Sequence, residues 1–145
     1  MSVGRICVRE VDLAEVGETV QIAAQRMNSR NVGTLMVLDG DSRPVGIITD
    51  RDLAVRVVGK GLDPVETMVG EVMSKAPDSV HDDTSIEIAL ACMRTGPYRR
   101  LPVVDNDGKL VGLVSLDDIL DLLSEEFAEI GKLVRRESPT ILANP

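Results

Sequence analysis

The feature that most restricts this chain is an internal repeat: shifted by 66 positions, the sequence overlays on itself. Ile22, Ala23 and Met27 fall on Ile88, Ala89 and Met93, and Leu35 and Val37 fall on Leu101 and Val103. Asp39 and Asp41 fall on Asp105 and Asp107, Val45-Gly46 on Val111-Gly112, and Asp52 on Asp118. No gap is needed from Gln21 to Ala54. A unit of about 70 residues is near the lower limit for burying an adequate core alone, so two copies sharing one body is the expected arrangement.

Each copy carries the same order of signals. A short apolar lead comes first, Ile6-Cys7-Val8 and then Val72-Met73. Apolar residues at helical spacing predict a helix near residues 20–29 and another near 85–94, with Thr84 and Glu87 reading as a capping box on the second. Two Val-rich runs follow in each copy, flanking Asp39-Gly40-Asp41-Ser42 or Asp105-Asn106-Asp107-Gly108, which is a hairpin signal. A further helix is expected from about Arg51 and from about Asp117. The unit is therefore β-α-β-β-α. In copy two the last helix runs on through Leu123, Phe127, Ile130, Leu133 and Val134. That stripe suits either packing over the module's own sheet or packing on a second subunit.

Composition excludes several classes. The formal net charge of −8 opposes broad phosphate-driven binding to nucleic acid or an anionic membrane surface. No segment approaches the roughly 20 apolar residues of a membrane span, and no signal peptide is visible, so the cytoplasm is the expected location. Cys7 and Cys92 form no Cys-x-x-Cys, and His81 is the lone histidine, which argues against zinc and for two reduced thiols. Tyr98 and Phe127 are the only aromatics, leaving an aliphatic core.

One motif occurs in both copies where a strand should end and a helix begin. It reads Gly46-Ile47-Ile48-Thr49-Asp50-Arg51-Asp52 and Gly112-Leu113-Val114-Ser115-Leu116-Asp117-Asp118. Unpaired N–H groups at a helix start favour phosphate, and the Thr or Ser hydroxyl can add a hydrogen bond. The ionised Asp can accept from the vicinal hydroxyls of ribose. The same Thr-x-x-Asp and Ser-x-x-Asp spacing is also a helix-capping pattern, and the residues alone leave both readings open.

The copies resemble the CBS domain, the family named after cystathionine β-synthase. The resemblance rests on Arg100-Leu101-Pro102-Val103-Val104-Asp105, the Asp-Asn-Asp-Gly turn, Gly-Leu-Val-Ser-x-x-Asp, and Gly-Ile-Ile-Thr-Asp-Arg-Asp-Leu in copy one. It covers roughly residues 4–125. It implies an α+β fold, an α/β-type sandwich in which tandem βαββα repeats pack through their sheets as a pseudo-two-fold pair, a Bateman module. The corresponding division is residues 4–68 for repeat 1, 69–125 for repeat 2, 126–136 for a helical extension and 137–145 for a tail.

The resemblance also implies two clefts taking adenosine-containing ligands such as AMP, ADP, ATP, NAD or S-adenosylmethionine. Thr49 and Asp52 would serve one cleft, Ser115 and Asp118 the other. Arg99 and Arg100 stand where family members place phosphate-binding cations and would face the nucleotide held by Asp52; solvated surface charge is the alternative. Copy one has Gly33 and Thr34 there, so the clefts should be unequal. Arg51 is a weaker phosphate candidate. Val32 and Tyr98 occupy matching positions that could flank an adenine, with core packing the plainer role for Val32.

No catalytic constellation is visible. His81 has no obvious partner, a Walker pattern is absent, and the acidic pairs Asp117-Asp118 and Glu125-Glu126 are helix neighbours that point apart. The expectation is a non-enzymatic regulatory sensor that needs no cofactor, forms a homodimer and acts through an unknown effector protein, without nucleic acid or membrane. The alternatives are a structural or interaction adaptor with vestigial clefts, and a nucleic-acid-responsive regulator, which the acidity disfavours.

Overall fold

A computed structural model describes residues 1–75, 78–96 and 98–136. In copy one, β1 (Leu13–Ala14), α1 (Val20–Arg30), β2 (Thr34–Leu38) and β3 (Pro44–Thr49) are followed by the short α2 (Asp50–Asp52), which continues as a π-helical turn over Leu53–Val58. The connection carries α3 (Val69–Val72) and β4 (Ser74–Lys75). Copy two repeats the order with β5 (Val80–His81), α4 (Ile86–Thr95), β6 (Arg100–Val104), β7 (Leu110–Ser115) and α5 (Leu116–Arg136). The expected tail, residues 137–145, lies outside the described residues.

The two hairpins match residue for residue. Leu35 pairs with Ile48 and Val37 with Gly46, and 66 positions on Leu101 pairs with Val114 and Val103 with Gly112. Both ladders slip at the same place, after Val37 and after Val103. The turns are built alike as well. Asp39 Oδ1 accepts from the N–H groups of Asp41 and Arg43, and Asp105 Oδ1 from those of Asp107 and Lys109, at 2.8–3.0 Å. These backbone donors hold the Asp39 carboxyl below its usual range. Ser42 (φ 63°) and Gly108 (φ 79°) fill equivalent left-handed positions.

Alternation along the strands gives each copy its core. Leu35, Val37 and Ile48 bury against Ala23, Met27 and Val57, and Leu101, Val103 and Val114 against Ala89, Met93 and Ile119. Met36 and Pro102 point to the opposite sheet faces and are also fully buried, so that face of each sheet is covered too. The hairpin tips are tied together by Leu110 N–H donating to Ser42 O at 3.0 Å and Arg43 Nε to Asp107 O at 3.2 Å.

The leads cross over, although the sequence reads each as the first strand of its own copy. Val3 sits in the core of copy two, while Val69 and Val72 sit in that of copy one. Val8 and Leu113 exchange both backbone hydrogen bonds at 2.9 Å, and β4 pairs with β3. Glycine makes this possible. A Cβ on Gly46 would lie 2.3 Å from Met73 Sδ, and one on Gly112 would lie 2.6 Å from Val8 O and 2.9 Å from Cys7 Sγ. Burial there pushes the Cys7 thiol up from its ordinary value.

One local expectation is corrected. The N-cap of α4 is Ser85, whose Oγ accepts from Ile88 N–H, rather than a Thr84–Glu87 box. His81 lies in β5 and is exposed.

Candidate functional site

Both Thr/Ser-x-x-Asp motifs sit at strand-to-helix junctions, and both form reciprocal caps. Thr49 Oγ1 accepts from Asp52 N–H at 3.2 Å while Asp52 Oδ2 accepts from Thr49 N–H at 3.0 Å. Ser115 Oγ accepts from Asp118 N–H at 3.1 Å while Asp118 Oδ2 accepts from Ser115 N–H at 2.8 Å. The capping reading is therefore realised in each copy. It leaves over the second oxygen of each aspartate and the proton of each hydroxyl.

The two leftovers differ. Asp52 Oδ1 lies 3.7 Å from Arg56 Nε, an ion pair one turn along the helix. The equivalent of Arg56 in copy two is Leu122, and Asp118 makes no ion pair among the described residues. Asp118 also lines a cleft of about 270 Å³, at the small end of ligand sites. Copy two supplies Arg100, Leu113, Ser115 and Asp118, and the facing wall is Val32, Gly33 and Thr34 of copy one. The strap of residues 8–12, which runs from Leu113 on β7 to Met36 on β2, closes a third side with Glu10 and Asp12.

Cross-strand register explains one grouping. Arg100 is the direct partner of Ser115, so both side chains project from the same sheet face. A second hollow of about 250 Å³ adjoins the first, sharing Arg100 and Ser115 and adding Arg99, Leu116 and Asp117. Arg99 and Arg100 thus line the same hollow as Ser115. The other charged residues of the lining are acidic: Asp12, held by Arg30 at 2.8 Å, with Glu10, Asp117 and Asp118. Such a site can take an apolar ring between Val32 and Leu113, hydroxyls at Asp118 and one anionic group at the arginines.

The sequence-predicted residues divide accordingly. Val32, Arg100, Ser115 and Asp118 meet in the cleft, and Arg99 joins them from the adjoining hollow. Thr49, Arg51 and Asp52 line neither, so the arginines stand with Asp118 and not with the expected Asp52. Tyr98 turns to a different hollow with Ile88, Cys92 and Leu101, its ring filling the space over Gly96. Sequence reasoning missed Glu10, Asp12, Gly33 and Thr34 as lining, and Gly33-Thr34 figured there as missing cations of copy one. No group of three or more potential metal ligands occurs among the described residues, and none of their helices is long and apolar enough to cross a membrane.

The family model described as "CBS domain" matches residues 3–59 and again 69–125. An uncharacterised protein of Methanopyrus kandleri is 35% identical over 122 residues, which are 84% of this chain and 62% of that protein. The chain thus spans less than two thirds of that relative's length. Hypoxic response protein 1 of Mycobacterium tuberculosis is 34% identical over 86% of this chain and 82% of its own. The crystal structure of Hypoxic Response Protein I with two coordinated zinc ions superposes with a TM-score of 0.73 at 31% identity, over 83% of this chain and 98% of that one. CBSX2 in complex with AMP superposes with a TM-score of 0.71 at 26% identity, over 86% and 96%.

Proposed function

The chain belongs to the CBS domain family, and from that premise we propose that it is a non-catalytic sensor binding one adenine nucleoside monophosphate between its two copies. The observation that carries this reading is the meeting of Asp118, with one uncommitted carboxylate oxygen, and Arg100 in a cleft walled by the other copy. Asp118 would accept from the ribose hydroxyls, Ser115 and the two arginines would hold the phosphate, and Val32 and Leu113 would flank the base. A similar protein, CBSX2, has been crystallised with AMP.

Phosphate number follows from charge. Two guanidinium groups balance a monophosphate, whereas a triphosphate would bring its extra charge against Glu10, Asp12 and Asp117. AMP is therefore expected to bind more tightly than ADP or ATP, and NAD less well because the cleft is small. Thr49 and Asp52 would form the weaker counterpart, since Arg56 already engages Asp52. Ligand that touches both copies would favour the pose in which they are closed on each other, and a separate effector protein would read that pose.

Calorimetric titration with AMP, ADP, ATP, NAD and S-adenosylmethionine tests the proposal. Saturable binding with AMP tightest supports it. No heat with any of the five would overturn it and leave the adaptor reading, in which both motifs serve only as helix caps.

A further inference from the structure

The repeat supplies an internal control for the motif of copy one. The backbone around it is the same in both copies: Asp50 N–H donates to Gly33 O at 2.9 Å, and 66 positions on Leu116 N–H donates to Arg99 O at 2.8 Å. The side chains differ. In copy two Arg99, Arg100 and Leu116 line one hollow. Copy one has Gly33 and Thr34 in place of the cations and an aspartate in place of the leucine. Asp50 Oδ1 accepts from Arg51 N–H at 2.8 Å, so a carboxylate takes one of the helix-start donors that suit phosphate. Its Oδ2 lies 2.8 Å from where a Cβ on Gly33 would be, the point from which the Arg99 side chain springs in copy two.

The other end of the motif is engaged as well. Asp52 Oδ2 caps Thr49 N–H, and Asp52 Oδ1 faces Arg56 Nε at 3.7 Å. Arg56 is fixed from behind, its Nη1 donating to Val72 O at the end of α3 at 2.9 Å. The π-helical turn allows this reach. Copy two packs Leu122, the equivalent of Arg56, on its core, whereas copy one buries Val57, one position later. The wider turn moves the inward position on by one residue and leaves Arg56 outside the core, where it meets Asp52. We propose that the copy-one motif is closed by its own side chains: Asp50 bars phosphate, Arg56 occupies the ribose acceptor, and the chain takes one nucleotide rather than two. This rests on the reading of the Asp118 cleft as a nucleotide site and assigns the inequality of the two motifs to two residues.

Near-isosteric changes remove the charges and keep the hydrogen bonds. Asp50→Asn retains an oxygen for Arg51 N–H, and Arg56→Gln retains an N–H donor for Val72 O, so both chains should keep the native urea midpoint. The test is calorimetric titration of the full chain with AMP and with adenosine. The native chain should take one AMP. The Asp50→Asn/Arg56→Gln chain should take two, the second within about tenfold of the first, and adding Asp52→Asn should remove the second alone. Arg56→Gln by itself should admit adenosine to the second place. Adding Asp50→Asn should then tighten AMP there about fivefold, less in high salt, while adenosine stays within about twofold. Where the native chain takes one AMP, a double variant that also takes one, or an Asp50→Asn effect equal for AMP and adenosine, would overturn the proposal. So would two equal sites in the native chain. A native chain that takes no AMP defeats the Asp118 reading; a double variant that then binds AMP through Asp52 upholds the closed motif, and one that binds none defeats both.

Discussion

Replacing Asp118 by Asn separates its two roles. The cap on α5 needs an acceptor for Ser115 N–H, now Asp118 Oδ2 at 2.8 Å, and an Asn oxygen can take that place. The chain should therefore stay folded, losing about 0.5 kcal/mol from the first-turn charge, which Asp117 partly retains. What Asn cannot supply is the second acceptor, because its remaining atom is an NH₂ donor. Hydrogen bonds to a charged acceptor are worth about 1.5–3 kcal/mol each, so a loss near 2 kcal/mol is expected for AMP. That is about 30-fold in dissociation constant. With 2′,3′-dideoxy-AMP there is no ribose hydroxyl pair to lose, and native and Asp118→Asn chains should bind it within about twofold. Asp52→Asn should leave the tighter AMP site within the same margin, since Asp52 Oδ1 faces Arg56. The assay is calorimetric titration of the three chains with both nucleotides. An equal loss for AMP and dideoxy-AMP, or the 30-fold loss appearing in Asp52→Asn, would refute the ribose role.

Other consequences can be measured without ligand. Gly112→Val places a side chain into Val8 O and Cys7 Sγ, and should cost about 3 kcal/mol in urea unfolding by forcing the crossed lead off β7. Ser42→Gly should raise stability by about 0.5 kcal/mol, because its φ of 63° is the conformation for which the other copy already uses Gly108. Glu18 accepts both guanidinium donors of Arg26, and that hydrogen bonding holds its carboxyl below the usual range. A lowered folded value means stability that is full above the unfolded pKa of about 4.3 and lost as pH falls through the folded one. Glu18→Gln should therefore destabilise by about 1 kcal/mol at neutral pH, and the gap to the native chain should close as pH falls through the lowered folded value. A gap independent of pH would sink the ion-pair account.

Much of this was legible in the residues because the repeat is written in local patterns. Strand runs, Asp-rich turns and helix spacing each depend on neighbours within a few positions, so β2, β3, β6, β7 and α5 fall where the sequence puts them to within a residue or two. The crossing of the leads was not legible. Ile6-Cys7-Val8 has the same apolar pattern whichever sheet it joins, and its partner Leu113 is more than a hundred residues away. Gly46 and Gly112 carried the hint, since a glycine inside a strand marks a close backbone approach.

The site divides the same way. Asp118 and Ser115 could be named because the repeated motif is local, whereas Arg99 and Arg100 came from the resemblance, which set them against Asp52. Val32 to Thr34 and the acidic strap at Glu10 and Asp12 reach the cleft only through the packing of one copy on the other. Tyr98 shows the limit of arguing by repeat symmetry. It matches Val32 in register, but its ring lies against Gly96, just past the end of α4, while Val32 opens into the cleft.

The most direct test of the central claim is a crystal structure of the chain grown with AMP. The account predicts nucleotide between the copies, with ribose hydroxyls on Asp118, phosphate at Ser115, Arg99 and Arg100, and adenine beside Val32. Nucleotide seated on Thr49 and Asp52 alone, or a cleft left empty at saturating AMP, would contradict it.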